Sequence, residues 1–402
     1  MGGTAMRSSR KALAHLASYG TPPDRETAKK ISVGLEASLE QFHKEVIPYL
    51  TIGGTEIQFV YGANGRGKTH YLLSLEELAR NKGFVTARID CSIGGTPFQS
   101  LEATYRMIAN ALRPPPATEL DQTIGVSSII RSALGAEAGH PVDQTLSGLK
   151  NAKYLCPEIR NLALAYGQGV VNDQLTDEMA AQIEYLLSGA QGRLITISSL
   201  YKRDKSLPRP LGRLISRNSA NWLRSLLSLP KALGYPGLIL LFDETERVMH
   251  GLRPSARQAQ LAHIRNIVDY CALGAFHGCM ILYAAADDFV ESARRDLDAL
   301  AQRIEPPSLL NGEWPSSIRS VWTDLDDLTK PSTNDPRFFE LLSDRIIDLG
   351  VEAGISTQGV RALKSALSRG AVRAANSPTS SVVREFVKNA ASLVLTEVPR
   401  NG

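Results

Sequence analysis

The alternation of apolar and polar positions divides the chain into a helical opening, an interrupted α/β body and a helical close. From Arg7 to about Leu50, apolar residues recur at helical spacing, Leu13 and Leu16 and then Leu35, Leu39, Phe42 and Val46, with a break at Gly20-Thr21-Pro22-Pro23. Ile57-Gln58-Phe59-Val60-Tyr61 is short and β-prone. It stops at Gly62 and is followed by a glycine-rich turn and a helical pattern from Tyr71 to Ala79. Gly83 to Asp90 reads as a second strand and Leu101 to Leu112 as the helix behind it. That helix ends before Pro114-Pro115-Pro116, because proline lacks the amide donor and crowds the preceding turn.

From about Pro114 to Tyr235 the spacing stays mostly helical with polar interruptions, which predicts an inserted helical subdomain and no further strands. Gly237 to Phe242 is wholly apolar, bounded by Pro236 and by Asp243-Glu244, as a central strand buried on both faces requires. A helix from about Ser255 to Leu273 follows. Cys279 to Ala284 is another buried-strand candidate and Ser320 to Thr323 a weaker last one. From about Asn334 to Leu395 the pattern is helical, with breaks expected at Gly350, Gly354 and Pro378, and it reads as a small lid. The expected architecture is α/β with a parallel sheet: a helical lead-in over residues 1–50, a core over 51–325 with the insertion at about 114–235, and a C-terminal helical lid over 326–402.

Composition changes this picture little. A chain of 402 residues that is 43% apolar and 21% charged can bury a large core and is not disordered as a whole. A net charge of +4 permits contact with nucleic acid but does not demand it, so only a local basic cluster counts. Cys91, Cys156, Cys271 and Cys279 are scattered, without metal-ligand spacing, and read as reduced core thiols of a cytoplasmic protein. No apolar run is long enough for a membrane span, and the amino terminus lacks the apolar core of a secretory signal. The opening residues superficially suggest myristoylation, but Met6 stands where serine or threonine is wanted.

The chemistry concentrates at two places. Gly62-Ala63-Asn64-Gly65-Arg66-Gly67-Lys68-Thr69 fits the full G-x-x-x-x-G-K-[ST] phosphate loop and lies between an expected strand and an expected helix. Such a loop must converge backbone amides on phosphate oxygens, which calls for glycines in unusual dihedrals and a helix amino terminus aimed at the anion. Lys68 then neutralises β- and γ-phosphate oxygens and Thr69 ligates magnesium. A chance glycine-rich turn is the bland alternative. Asp243 and Glu244 supply the second place: an aspartate at the end of a buried strand reaches the magnesium, and the adjacent glutamate can polarise the attacking water. The alternative there is a strand that merely ends in a polar turn.

Two arginines and one basic cluster are further candidates. Arg303, after the fourth expected strand, fits an arginine that reaches a neighbouring subunit's γ-phosphate, and Arg384 on the lid fits a contact to the nucleotide in cis. Either can equally be an ordinary surface residue. Within the insertion, Lys202, Arg203, Lys205, Arg209, Arg213, Arg217 and Arg224 stand against the single acid Asp204, with Trp222 close by. This stretch suits a phosphate backbone, a solvated loop or an acidic partner.

In this order the motifs resemble those of AAA+ ATPases. Lys30 to Leu35, Phe59 to His70, Gly83-Phe84-Val85, Tyr105 to Ile108, Leu233 to Glu244 and Val383-Arg384-Glu385-Phe386 together resemble the BREX phage-defence ATP-binding family, BrxC/BrxD, with a length closer to the BrxD branch. The resemblance implies a cytoplasmic role in bacterial defence, ATP and magnesium as cofactors, and partners such as a helicase, a DNA methyltransferase or a phosphatase-like protein. One departure stands out. The fourth strand of the family ends in a polar residue that senses the γ-phosphate, whereas Ala286 takes that place here beside Asp287. Two leading readings remain: an ATPase coupled to assembly on DNA or within a defence complex, as a monomer or homo-oligomer, and a nucleotide-dependent switch with little hydrolysis. A small-molecule kinase is weaker, because no acceptor-site motif is evident.

Overall fold

Six strands, β1 (Thr55–Tyr61), β2 (Val85–Asp90), β3 (Leu112–Arg113), β4 (Leu238–Asp243), β5 (Cys279–Ala285) and β6 (Trp322–Asp324), pair into one sheet in the order β3-β2-β4-β5-β1-β6. The computed structural model describes residues 2–93, 97–115, 124–135, 141–173, 175–190, 212–249, 251–286, 289–304, 321–377, 379 and 381–399. All pairings are parallel except that of the two-residue β3 with β2. Parallel strands need crossovers, and each crossover puts a helix over the sheet, so both faces are covered. This is why β4 and β5 are buried at every position and carry no polar residue before Asp243.

The helices are α1 (Gly2–Tyr19), α2 (Arg25–Lys30), α3 (Glu36–Gln41), α4 (Ile47–Thr51), α5 (Lys68–Asn81), α6 (Leu101–Ala111), α7 (Val126–Leu134), α8 (Val142–Asn151), α9 (Pro157–Val171), α10 (Asp177–Leu187) and α11 (Ser219–Ala232). They continue with α12 (Pro254–Ala272), α13 (Phe289–Ile304), α14 (Leu325–Leu328), α15 (Pro336–Glu352), α16 (Thr357–Ala375) and α17 (Val382–Glu397). A π-helical turn, Phe42–Val46, joins α3 to α4. Short polar side chains start several of them: Asp24, Ser100, Thr176 and Ser356 each accept a first-turn amide, a contact worth about 1 kcal/mol apiece.

Successive strand residues point to opposite faces, and the two cores follow that period. Val60, Ile239, Leu241, Met280 and Leu282 pack with Tyr71, Leu72 and Leu75 of α5. Phe59, Ile89, Leu240, Phe242 and Tyr283 face the other way, into a core shared with α6, with α7, α9 and α11 of the long connection, and with α12 and α13. The regular elements described between β3 and β4 are all helical, and their helices are continuous with the sheet core. Trp222 of α11 is fully buried, edge-on to Tyr105 at a centroid separation of 5.5 Å. It has no face free to stack on a base, contrary to its inclusion with the basic cluster.

A third core lies apart. Leu13 and Leu16 of α1 pack with Phe339 and Ile346 of α15 and with Phe386 and Val394 of α17, so the amino-terminal helix and the last three helices bury one another. Ser9 Oγ and Lys30 Nζ both reach the Glu352 carboxylate at the end of α15, at 2.6 and 2.9 Å. Two local expectations are corrected. Leu112 is not the end of α6 but the start of β3, because Ala87 and Thr86 of β2 offer it an unpaired edge. Gly350 does not break the lid: it lies inside α15, where a Cβ would stand 2.6 Å from Ile355 Cδ1 and Val394 Cγ1. The missing side chain serves close helix packing.

Candidate nucleotide site

The phosphate loop leaves the carboxyl end of β1 and feeds α5. Gly65 and Gly67 have φ of +86° and +111°, values at which a side chain would cost about 1–2 kcal/mol, so glycine is required at both. Gly62 packs against Leu325, and a Cβ there would stand 3.4 Å from Leu325 Cβ, an ordinary contact distance. Lys68 begins α5, is only 7% exposed, and donates from Nζ to the Gly62 carbonyl at 2.6 Å and the Ala63 carbonyl at 3.4 Å. Its ammonium is therefore folded over the loop and held by two carbonyls that a stronger anion could replace.

Asp243 closes β4. Because β5 stands between β1 and β4, the acid lies two strand spacings, about 10 Å, from the strand that launches the loop, and the first turn of α5 bridges the gap. The Thr69 side chain lies close enough to the Asp243 carboxylate to favour its charged form. Burial raises the Asp243 pKa above the ordinary carboxylate value, and Thr69 and the charge of Arg88 work against that shift. A hydroxyl and a buried carboxylate near one another are a donor set that suits a hard divalent cation, which would offset the burial penalty. Among the described residues no cluster of three or more His, Cys, Asp and Glu side chains could hold a metal by themselves.

Glu244 has φ of +54°, in the left-handed region, which turns its side chain away from the strand axis and towards the cleft. Its Oε2 is held by Arg247 Nε at 2.9 Å. Two residues on lies an acid that the sequence reading passed over. Glu246 is buried, and its Oε2 accepts the Ala286 amide at 3.1 Å. It thus occupies the end of β5, where the polar sensor was expected. Burial raises the Glu246 pKa, and Lys68 counters part of the shift. Burial, and after it the same crowd of acids, pushes the Cys91 thiol far up, which keeps it protonated.

One cleft joins these groups. It holds about 870 Å³ of space between atoms, part of it open to solvent. At one end stand Asn64 to His70 and Glu244, and at the other an apolar wall of Ile31, Val33, Leu35, Phe338, Leu342 and Val387. Arg384 of α17 borders the loop, with its Cβ 3.5 Å from where a Cβ on Gly65 would be. Its side chain is exposed and has no ion-pair or hydrogen-bond partner among the described residues. Arg66 is committed elsewhere: its Nη1 bonds Thr333 Oγ1 and lies 3.8 Å from Asp326 Oδ2, tying the loop to the segment that enters the lid.

Arg303 is not brought to this cleft. Its guanidinium bonds Asp269 of α12 and the Ala299 carbonyl, because α13 packs along α12. Lys202, Arg203, Lys205 and Arg209 lie outside the described residues, as does Asp287, while Arg213 and Arg217 are exposed. The apolar wall was half visible in the hydrophobic spacing of residues 31–35, but its other half comes from the lid, some three hundred positions later.

Residues 6–121 and 212–388 match the family described as BREX system ATP-binding protein BrxC/D, well over half of the chain. The chain belongs to the BrxC/BrxD family. Among curated proteins, none matches it. The family match covers the phosphate loop, the Asp243-Glu244 turn, Arg303 and Arg384, and it skips residues 122–211, which hold α7 to α10. This BrxC/BrxD chain is therefore an ATP-binding protein of the BREX system, and no described helix is long and apolar enough to cross a membrane.

His70, next to Thr69 and lining the cleft, makes a pH prediction. Burial lowers its pKa to about 4, against an ordinary value of 6.5, and its Nε2 has no partner among the described residues. The unfolded chain then protonates first as pH falls, so the contribution of neutral His70 is whole above pH 6.5 and is lost as pH drops towards 4. Urea unfolding across this window should show stability falling with acid. His70→Gln is expected to flatten the slope by at most about 1.4 kcal/mol per pH unit, less where solvent reaches the ring. An unchanged slope would show that the imidazole is not buried neutral.

Proposed function

We propose that this chain is an AAA+ ATPase that binds ATP with magnesium and hydrolyses it. The observation that carries this reading is the approach of Thr69, at the end of the phosphate loop, to the Asp243 carboxylate, at the end of a strand distant in sequence. The insertion of β5 between the loop strand and the acid strand supports the AAA+ assignment. On this reading Gly62, Asn64, Gly65, Arg66 and Gly67 line the phosphates with their backbone, Lys68 neutralises them, and Arg384 approaches from the lid. Thr69 and Asp243 hold the magnesium ion, which supplies charge to offset the phosphate oxygens. Glu244 orients and deprotonates the attacking water once Arg247 lets go of it. The apolar wall takes the base.

Hydrolysis is coupled, on the same reading, to assembly on DNA or within a cytoplasmic anti-phage complex whose other members include a helicase, a methyltransferase or a phosphatase-like protein. Lys202, Arg203, Lys205, Arg209, Arg213 and Arg217 are the insertion's contribution to a nucleic-acid face. Arg303 acts in trans in a homo-oligomer, which requires it to leave Asp269. The chain divides accordingly into a lead-in over 1–50, a core over 51–325 and a lid over 326–402.

A second reading, a nucleotide-dependent switch with little turnover, is favoured by two contacts: Glu244 is held by Arg247, and the end of β5 offers Ala286 and the Glu246 carboxylate in place of a polar sensor. Incubating the purified chain with ATP and magnesium, then identifying the bound nucleotide and the mass of the particle, separates the two. ADP with released phosphate is expected from the ATPase. ATP retained intact after long incubation would overturn hydrolysis and leave the switch, and failure to bind ATP at all would overturn both.

A further inference from the structure

On the α5 face, at the β2–β3 end of the sheet, two arginines flank one buried carboxylate and two more lie within its electrostatic reach. Glu76 of α5 is wholly buried; Arg25 Nη2 lies 2.5 Å from its Oε1, Thr86 Oγ1 donates to the same oxygen at 3.3 Å, and Arg88 Nε stands 3.7 Å from Oε2. Oε1 is satisfied by Arg25 and Thr86, whereas Oε2 is buried without a hydrogen-bond partner and has only the Arg88 charge beside it. Arg80, one turn further along α5, and Arg113 of β3 bring more positive charge to the same place, and each feels both Arg25 and Glu76. Among the described residues neither side chain has a hydrogen-bond or ion-pair partner. Both are partly buried, and burial first, then Arg25, lowers their pKa values without discharging them.

Packing like charges in a partly desolvated place is unfavourable unless an anion answers them. A structural salt bridge to Glu76 needs Arg25 and Arg88; it does not need Arg80 and Arg113. The surplus is spread in a line along the sheet edge. Arg113 pairs with Thr86, and Arg88 lies two residues on, about 7 Å along the strand. A row of forked, always-charged donors fits a row of phosphate oxygens better than one compact anion. We propose that Arg80 and Arg113, with Arg25 and Arg88 beside them, bind the phosphate backbone of a nucleic acid on a surface separate from the nucleotide cleft.

The test is fluorescence anisotropy of a short labelled oligonucleotide, single-stranded and duplex, against the full chain over a range of salt. Arg80→Gln with Arg113→Gln leaves Arg25 and Arg88 on Glu76. This pair is expected to weaken binding at least tenfold at low salt and to flatten the log–log salt dependence by about one to two units. ATP binding should be unchanged and the free protein should melt at the same or a higher temperature, because burial and Arg25 outweigh the attraction of Glu76 and Glu77 at these arginines. Arg113→Gln alone, on the edge strand, should lose about one unit of slope and keeps the test valid if the pair folds poorly. Unchanged affinity and slope in these variants would overturn the proposal. So would a loss confined to Arg213→Gln with Arg217→Gln, or phosphate-induced thermal stabilisation that vanishes in the Arg80 and Arg113 variants while their oligonucleotide binding persists. None of these results bears on ATP binding at the cleft, which stands or fails on its own.

Discussion

Lys68→Ala is expected to weaken ATP binding by more than 100-fold while the sheet and lid remain folded. The ammonium is 7% exposed and is already positioned over the loop by the Gly62 and Ala63 carbonyls, so little reorganisation separates it from a phosphate. In such a place a charge-assisted contact is strong, and removing one partner of a buried charged pair costs about 3–5 kcal/mol. Each 1.4 kcal/mol is about tenfold in affinity, which puts the loss above two orders of magnitude. Stability should fall much less, because the two carbonyls released by alanine can turn to water. Calorimetric titration with ATP and magnesium measures the first effect and thermal melting the second. A loss of affinity below about tenfold would mean that the phosphates do not lie on this loop.

Glu244→Gln separates binding from chemistry. Glutamine keeps the size of the side chain and its acceptor to Arg247, so ATP should bind within a few fold of the unaltered chain. It cannot take a proton from water, and general-base contributions are typically about 10²–10⁴-fold, so turnover should fall by at least about 100-fold. Steady-state phosphate release and the nucleotide retained on the protein give both halves of the result. Turnover at the rate of the unaltered chain would remove Glu244 from the mechanism. In that case Glu246, buried against the Ala286 amide and in the field of Lys68, becomes the next acid to alter.

Much of this site was legible in the residues themselves. The Gly62 to Thr69 pattern announced its strand–loop–helix setting, and β1 and α5 flank it. The uninterrupted apolar run before Asp243 announced a strand buried on both faces, and β4 is buried throughout. These readings work because a strand covered on two sides and a loop that must wrap an anion each restrict the residues locally. Legibility fails where the signal is shared between distant segments. Glu246 looks like any acid after a strand until β5 places the Ala286 amide against it. Arg66 looks like a phosphate ligand until Thr333 and Asp326 come up from the lid entry to hold its guanidinium. Gly350 looked like a helix breaker because glycine is a poor helix former, and the packing of Ile355 and Val394 on it outweighed that propensity.

The sequence by itself determined the elements, the phosphate loop and the acidic turn, since these depend on periods of two and of 3.6 residues and on the dihedral demands of a few glycines. Only the tertiary structure decided that β5 lies between β1 and β4, that Thr69 meets Asp243, that α1 shares a core with α15 and α17, and that Arg80 and Arg113 gather over Glu76 without partners of their own among the described residues. Periodicity records which face of an element is buried, but not against what. The partner is chosen by strand order and helix packing over the whole chain, where each contact is one of many that the same apolar face would accept.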